Sequence, residues 1–311
     1  MDREFWIAEL TEADLPAVVA LCRSGLDLPE DAAEAAEIVA RLRETTGTDG
    51  WSPIPRRIAG FVAKAAGDRI IGVVLGSVSL RDASIGHIDL IAVDPAERRR
   101  GVGRALMARI EGALAGLGAG DVVLAGNAPY YAWPGIDVRY TPAVCAAMAL
   151  GFAQDQPAWN MTADLRALVP TEPDEKRLAG EGVTVRRATT GDTAALVAFA
   201  LANWGAGWAG EISHSIGRER AGCHLAIEAD GTLLGFAAYG SSRPSWFGPM
   251  GTTVAARGRG IGSVLLRRCL ADQRANGHQT AQIGWVGPMP FYSIAVGARV
   301  ERVFFLYRKQ L

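Results

Sequence analysis

The chain has 311 residues, with 32 basic and 33 acidic side chains and a formal net charge of −1. This length predicts two domains, and the balanced charge argues against binding of nucleic acid through a broad basic surface. The four cysteines are scattered, with no Cys-x-x-Cys pair, so we expect neither a metal site nor a disulfide framework. The charged N-terminus does not resemble a secretion signal and no apolar run reaches 18 residues. We therefore expect a cytoplasmic protein that does not bind membranes.

The first half of the chain predicts a short strand and a capped helix, followed by several strands. Residues 7–14 lead into a helical pattern over 15–23, which the Thr11-x-x-Asp14 spacing can cap. Further strands are predicted over 57–66, 69–79, 85–93 and 122–125, and a helix over 104–116. A long segment, residues 126–140, then carries four aromatic residues and two prolines.

A charged stretch with two prolines divides the chain, and similar patterns lie on both sides of it. It covers residues 167–182, which we interpret as a linker between domains at 1–166 and 183–311. After it, residues 185–192 repeat the strand and cap of the first half and lead into a helix over 193–204. Strands over 224–229 and 232–240 form a hairpin, and a helix follows over 263–276. Each half therefore predicts a mixed α/β fold with a mostly antiparallel central sheet flanked by helices.

The clearest repeat is a glycine-rich turn between a strand and a helix. Residues 92–103 align without a gap on 251–262, and both contain Arg-x-x-Gly-x-Gly, at 98–103 and 257–262. Backbone N–H groups at a helix start bind anions, and glycines let a pyrophosphate approach the chain closely. A dinucleotide-binding motif would need a third glycine where Leu106 and Leu265 stand, and no Gly-Lys-Ser/Thr follows as in a P-loop.

Both halves resemble the GCN5-related N-acetyltransferase (GNAT) superfamily, whose signature is Arg/Gln-x-x-Gly-x-Gly/Ala between its fourth strand and third helix. The resemblance covers roughly residues 5–164 and 183–311 and implies two tandem GNAT domains that bind acetyl-CoA or another acyl-CoA. It also implies that the turn holds the CoA pyrophosphate, while N–H groups at the end of the preceding strand bind pantetheine and polarise the thioester carbonyl. The residues at these positions are Ile91, Ala92, Val93, Arg98, Arg99, Arg100, Gly101, Val102, Gly103 and Arg104 in the first half, and Met250, Gly251, Thr252, Arg257, Gly258, Arg259, Gly260, Ile261, Gly262 and Ser263 in the second.

The two halves differ in the groups that can transfer protons. Tyr292 matches the tyrosine with which the family protonates the departing thiolate, but it lies one residue further from the next glycine; a ring packed in the core is the alternative. The first half has Ala147 there. Asp89 shares a strand face with His87 and is a candidate general base, with a sheet-edge or turn-capping role as the alternative. Because of Tyr292, we expect the second half to be the catalytic one.

Aromatic residues in both halves are candidates for the acceptor pocket. Those in the first half, with one aspartate among them, are Tyr131, Trp133, Asp137 and Tyr140; packing of their loop against the other domain is the alternative. Trp204 and Trp208 are candidates in the second half, with a packing seam between the halves as the alternative.

The sequence thus predicts an enzyme that transfers an acetyl or similar acyl group from acyl-CoA to a primary amine of a small molecule. We expect the amine to attack directly in a ternary complex. A non-catalytic protein that binds or senses acyl-CoA, and an acetyltransferase that modifies proteins, are the alternatives.

Overall fold

The computed structural model describes residues 4–48 and 53–311, which form two compact units. Unit 1 comprises residues 4–47, 54–158 and 304–311, and unit 2 consists mainly of Trp159–Val303. Each unit therefore includes a segment from the other half of the sequence.

The chain alternates strands and helices in both units. The strands are β1 (Phe5–Glu9), β2 (Thr46–Thr48), β3 (Pro53–Pro55), β4 (Ile58–Ala65), β5 (Arg69–Val78), β6 (Ile85–Val93), β7 (Asp121–Leu124), β8 (Ile136–Asp137), β9 (Ala153–Asp164), β10 (Val183–Arg187), β11 (Gly222–Glu228), β12 (Leu233–Tyr239), β13 (Trp246–Thr252), β14 (Thr280–Ile283) and β15 (Arg299–Gln310). The helices are α1 (Leu15–Gly25), α2 (Pro29–Ala33), α3 (Ala35–Leu42), α4 (Val102–Gly116), α5 (Thr141–Ala149), α6 (Glu172–Gly180), α7 (Thr193–Trp204), α8 (Ala206–Ser215), α9 (Ile261–Ala275) and α10 (Met289–Val296).

The sheet of unit 1 has the order β1-β4-β5-β6-β7-β15. All neighbours are antiparallel except β6 and β7, which pair in parallel over Ile85–His87. One buried cluster packs the sheet against α4, and a second packs it against α1 and α3. The last strand comes from the C-terminus, where Tyr307 lies opposite Leu124 of β7.

Unit 2 repeats this plan with the order β9-β14-β13-β12-β11-β10. Its one parallel pair is β13 and β14, joined only over Trp246–Phe247. The strand that completes the sheet, β9, comes from the first half of the sequence, and its Asp164 lies opposite Thr280 of β14. The predicted mixed α/β architecture with mostly antiparallel sheets is thus confirmed.

Residues 167–182, which we expected to be a linker, contain helix α6. The prolines and charges of this stretch suggested a linker, but they also favour the start of a helix. Pro173 lies in the first turn of α6, together with three acidic residues. Leu178 is fully buried in the core of unit 2. Helix α8 and the final strands β9 and β15 are further elements that the sequence pattern did not predict.

None of the helices in the described ranges is long and apolar enough to cross a lipid bilayer. Within the same ranges, no group of His, Cys, Asp and Glu side chains is arranged to hold a metal ion.

Candidate active site

The glycine-rich turn of unit 1 presents unoccupied backbone donors. Gly101 has φ +87°, in the left-handed region that favours glycine, and α4 begins at the next residue. No side chain caps α4, so its first N–H groups have no partner within the turn. A Cβ placed on Gly103 would find only Val93 Cγ2 nearby, at 3.9 Å. The turn is therefore open to an anion.

The arginines of this turn divide into two groups. Arg98 donates hydrogen bonds to the carbonyl of Gly25 (2.7 Å) and to Asp27 (3.0 Å), which ties the turn to the end of α1. Arg100 pairs with Glu97 at 2.7 Å. In contrast, the exposed side chains of Arg99 and Arg104 form no hydrogen bond or ion pair with described residues. These two cations are available to phosphate groups.

Strands β6 and β7 separate beyond His87, which leaves one edge of β6 unpaired. His87 Nδ1 donates to the carbonyl of Ala125 (2.9 Å), and burial lowers its pKa to about 4, so the ring is neutral. Further along, the N–H of Asp94 donates to Ile71. Because donors alternate along a strand, the N–H groups of Val93 and Ile91 point to the opposite, unpaired edge.

Asp89 lies at a bulge in β6, where the pairing with β5 skips one residue. Although part of the residue is exposed, both carboxylate oxygens are buried and have no hydrogen-bond partner among the described residues. Burial raises the pKa of Asp89 to about 7, and the nearby Ser77 hydroxyl and the charge of Arg56 offset part of the rise. A carboxylate with this pKa is suited to act as a general base at neutral pH.

Two further buried polar side chains lie around Asp89, and sequence reasoning missed both. Arg56 is 6% exposed and its guanidinium stacks on Tyr130, 4.0 Å from the ring centroid. Asn127 is 2% exposed and donates to Ser77 Oγ at 2.9 Å. Nη2 of Arg56 and Oδ1 of Asn127 have no partner among the described residues. The one available signal was that Asn127 and Tyr130 lie within the aromatic segment, residues 126–140.

The predicted acceptor residues of unit 1 hold residues 126–140 against α2. The indole N–H of Trp133 and the hydroxyl of Tyr140 both donate to the buried carboxylate of Asp31, at 2.9 and 3.0 Å. Asp137 is buried and accepts from Arg139. Tyr131 is buried as well. These contacts make the segment a fixed wall.

The turn of unit 2 has the same backbone but is covered by side chains. Gly260 has φ +79° and α9 begins at the next residue. A Cβ on Gly260 would lie 2.9 Å from Nη2 of Arg177, which donates to the carbonyl of Arg259. A Cβ on Gly262 would contact the side chains of Phe291 and Met250, at 3.4 and 3.5 Å. Side chains therefore lie closer to this turn than to the turn of unit 1, where no heavy atom lies closer than 3.9 Å to a Cβ added at Gly101 or Gly103.

The predicted aromatic site residues of unit 2 pack within that unit. Trp204 and Trp208 stack with ring centroids 5.5 Å apart. The Trp204 ring covers Gly251, where an added Cβ would lie 2.5 Å from the indole. Tyr292 packs edge-on against Phe247, and burial raises its pKa to about 12.

The chain was compared with protein families and with known proteins. A model described as the acetyltransferase (GNAT) family matches residues 30–131. No curated protein matches the chain in sequence.

Solved structures with a similar fold cover almost the whole chain. A GCN5-related glucosamine N-acetyltransferase region of a fungal multi-domain GH3 β-N-acetylglucosaminidase has a TM-score of 0.76 and 18% identity, and the match covers 99% of this chain and 38% of that one. A GCN5-related N-acetyltransferase from Sphaerobacter thermophilus has a TM-score of 0.63 and 19% identity, covering 100% and 96%. A tandem GNAT protein from the clavulanic acid biosynthesis pathway has a TM-score of 0.69 and 14% identity, covering 99% and 98%.

This chain therefore spans well under half the length of the fungal protein, and at these identities the likeness concerns the fold. The family model thus places a GNAT-like region in the first half of the chain, and the tandem GNAT protein has the same fold over 99% of the chain.

Proposed function

We propose that the protein transfers an acetyl or similar acyl group from acyl-CoA to a primary amine of a small molecule, and that unit 1 performs the reaction. One observation carries this proposal: in unit 1, an open turn follows β6, the strand that holds the buried carboxylate of Asp89. The GNAT family binds acyl-CoA, which supports the choice of donor.

The residues of unit 1 fit the parts of such a donor. The first N–H groups of α4, with Arg99 and Arg104, would hold the pyrophosphate. Acyl-CoA would supply the thioester that the amine attacks. The N–H groups of Ile91 and Val93 would stabilise the charge that develops on its carbonyl oxygen, by about 3–4 kcal/mol per donor in comparable sites.

Asp89 would take one proton from the ammonium form of the substrate, which frees the nitrogen lone pair to attack the thioester carbonyl; as the amide bond forms and the C–S bond breaks, the second proton that the nitrogen loses passes to the departing CoA thiolate. With a pKa of about 7, the carboxylate is ionised in a large share of molecules at neutral pH and still binds a proton well. The carboxylate oxygens of Asp89 and Oδ1 of Asn127 are buried, which favours a small molecule over a protein as the substrate that receives the acyl group. A protein substrate would need an open groove.

Unit 2 retains the turn but covers it with Arg177, Phe291 and Met250. This packing supports unit 1 as the working half, in place of the half that Tyr292 had suggested. The covered turn would still stabilise the start of α9.

A calorimetric titration with acetyl-CoA tests the proposal on the wild type and on Gly103→Glu and Gly262→Glu. Both glycines leave room for a Cβ, and glutamate is favourable in the first turn of a helix, so both variants should fold. We expect one site in the wild type, lost in Gly103→Glu because of charge repulsion and kept in Gly262→Glu. Loss in Gly262→Glu alone would move the reaction to unit 2.

Release of CoA thiol across a panel of primary amines is the second measurement. We expect turnover with at least one amine. Binding of acetyl-CoA without turnover on any amine would favour the non-catalytic alternative, and absence of binding would refute the proposal.

A further inference from the structure

Unit 1 buries a guanidinium, that of Arg56, which has no counter-ion in contact with it among the residues that the structure describes. Arg56 forms no ion pair within 4.0 Å with a described residue. Its Nη1 donates to the backbone carbonyls of Glu44 (2.5 Å) and Leu42 (3.4 Å), and its Nη2 has no acceptor. A buried charge is normally paired, because removal from water is costly. Nη2 of Arg56 therefore lacks the anionic oxygen that would match it.

The same cluster holds three acceptor atoms without donors. They are the two carboxylate oxygens of Asp89 and Oδ1 of Asn127. The amide nitrogen of Asn127 is already used, since it donates to Ser77. A molecule that satisfies the cluster must thus present an acceptor to Arg56 and several donors to Asp89 and Asn127.

We propose that the acceptor substrate of unit 1 is a small amine that also carries a carboxylate, as an amino acid does. The carboxylate accepts a hydrogen bond from Nη2 of Arg56, and the amine donates to Asp89 and to Oδ1 of Asn127. This inference rests on the proposed function of unit 1 as the acyltransferase half.

Charge decides between this class and neutral hydroxylated amines. An amino acid brings a negative group to the buried guanidinium and a positive one to Asp89, so both buried charges acquire partners. A hydroxyl group offers Arg56 a hydrogen bond but no charge. The guanidinium carbon of Arg56 lies over the Tyr130 ring, and Nη2 is the donor that remains for a carboxylate.

Entry of the acceptor needs a small displacement, because the unpaired atoms are closed to solvent. The segment that contains Asn127 and Tyr130 contributes to the cluster and directly follows β7. A shift of this short stretch would admit the acceptor while Trp133 and Tyr140 stay bound to Asp31.

The test uses matched acceptor pairs that differ only in the carboxylate: leucine and 3-methylbutylamine, phenylalanine and 2-phenylethylamine, lysine and 1,5-diaminopentane. The rate of CoA release at saturating acetyl-CoA gives kcat/KM for each. We expect the preferred amino acid to exceed its partner by about 10- to 100-fold, the effect of one hydrogen bond between charged groups. Equal rates, or a preference for the amines without carboxylate, would overturn the inference and leave the proposed function standing.

Two variants test whether Arg56 is the residue that causes the preference for amines with a carboxylate. Arg56→Lys keeps the charge but loses the edge N–H groups, and should reduce the preference about tenfold or more, through KM. Arg57→Lys is the matched control: the neighbouring arginine is exposed and donates to the carbonyl of Leu117, so the preference should not change. An unchanged preference in Arg56→Lys would overturn the role of Arg56.

Acetyl-CoA binding separates the possible failures. If Arg56→Lys loses acetyl-CoA binding, it has not folded, and the wild-type pairs alone decide. If the wild type binds acetyl-CoA but acylates no amine of either kind, the proposed function fails, and this inference with it.

Discussion

Replacement of Asp89 by asparagine should stabilise unit 1 at neutral pH while it removes the proposed base. Burial raises the pKa of Asp89 from 3.8 to about 7. Below about pH 3 the carboxyl group is protonated in both folded and unfolded chains, so it does not affect stability. As the pH rises, the unfolded chain loses the proton first, and the folded unit loses stability until the pH passes 7. A difference of about three pKa units corresponds to about 4 kcal/mol.

Asparagine has nearly the same shape and stays neutral, so the variant should avoid this loss. Urea unfolding of both proteins between pH 4 and pH 8 measures the difference in the free energy of unfolding. We expect the variant to gain up to about 4 kcal/mol relative to the wild type over this range, most of it below pH 7. Because each comparison is made at one pH, the titration of other groups cancels.

Asp82→Asn is the control for this experiment. Asp82 is exposed, and hydrogen bonds from Ser84 lower its pKa, so its replacement should not stabilise the protein at pH 8. A difference between Asp89→Asn and wild type that stays constant from pH 4 to pH 8 would show that the Asp89 carboxylate is solvated. That result would refute the argument that burial prepares it as a base. In Asp89→Asn we also expect turnover to fall by about 10²- to 10⁴-fold with acetyl-CoA binding retained.

Three further outcomes follow from the same contacts. The kcat/KM of the wild type should rise with pH around a midpoint near 7, as Asp89 loses its proton, and a profile without this limb in the wild type would contradict its role as base. Trp133→Phe removes a donor to the buried Asp31 and leaves that of Tyr140, so unit 1 should lose about 1–3 kcal/mol in urea unfolding; no loss would mean that the indole bond does not hold the segment. Tyr292→Phe should leave turnover unchanged, because Tyr292 belongs to unit 2, and a large loss would return the reaction to that unit.

Local signals explain why much of the fold could be predicted. The turn after β6 and the hairpin around Asp230-Gly231 depend on backbone conformations that glycine favours, so the residue types report the structure directly. No local residue type indicates that β15 completes the sheet of unit 1 or that β9 completes the sheet of unit 2. Which sheet a terminal strand completes depends on free edges far away in the sequence, and Tyr307 is paired with Leu124 across more than half of the chain.

The candidate site divides in the same way. An aspartate on an otherwise apolar strand is visible in the sequence, which is why Asp89 could be singled out. The significance of Arg56 and Asn127 lies in the partners they lack, and a lack of partners depends on packing in three dimensions. Trp133 and Tyr140 illustrate the converse, since their aromatic character suggested a ligand pocket and their polar atoms bind Asp31.

The two glycine-rich turns show what the motif itself requires. Gly101 and Gly260 both adopt a positive φ directly before a helix, and any residue with a Cβ would be strained there, whether or not a ligand binds. Two of the three residues that approach the second turn lie outside the strand before it: Arg177 precedes Arg259 by 82 residues, and Phe291 comes from α10. The helix start therefore requires the same motif in both units, whichever side chains pack near it. For this reason the motif alone predicts two equal sites, whereas side chains approach the turn of unit 2 more closely than the turn of unit 1.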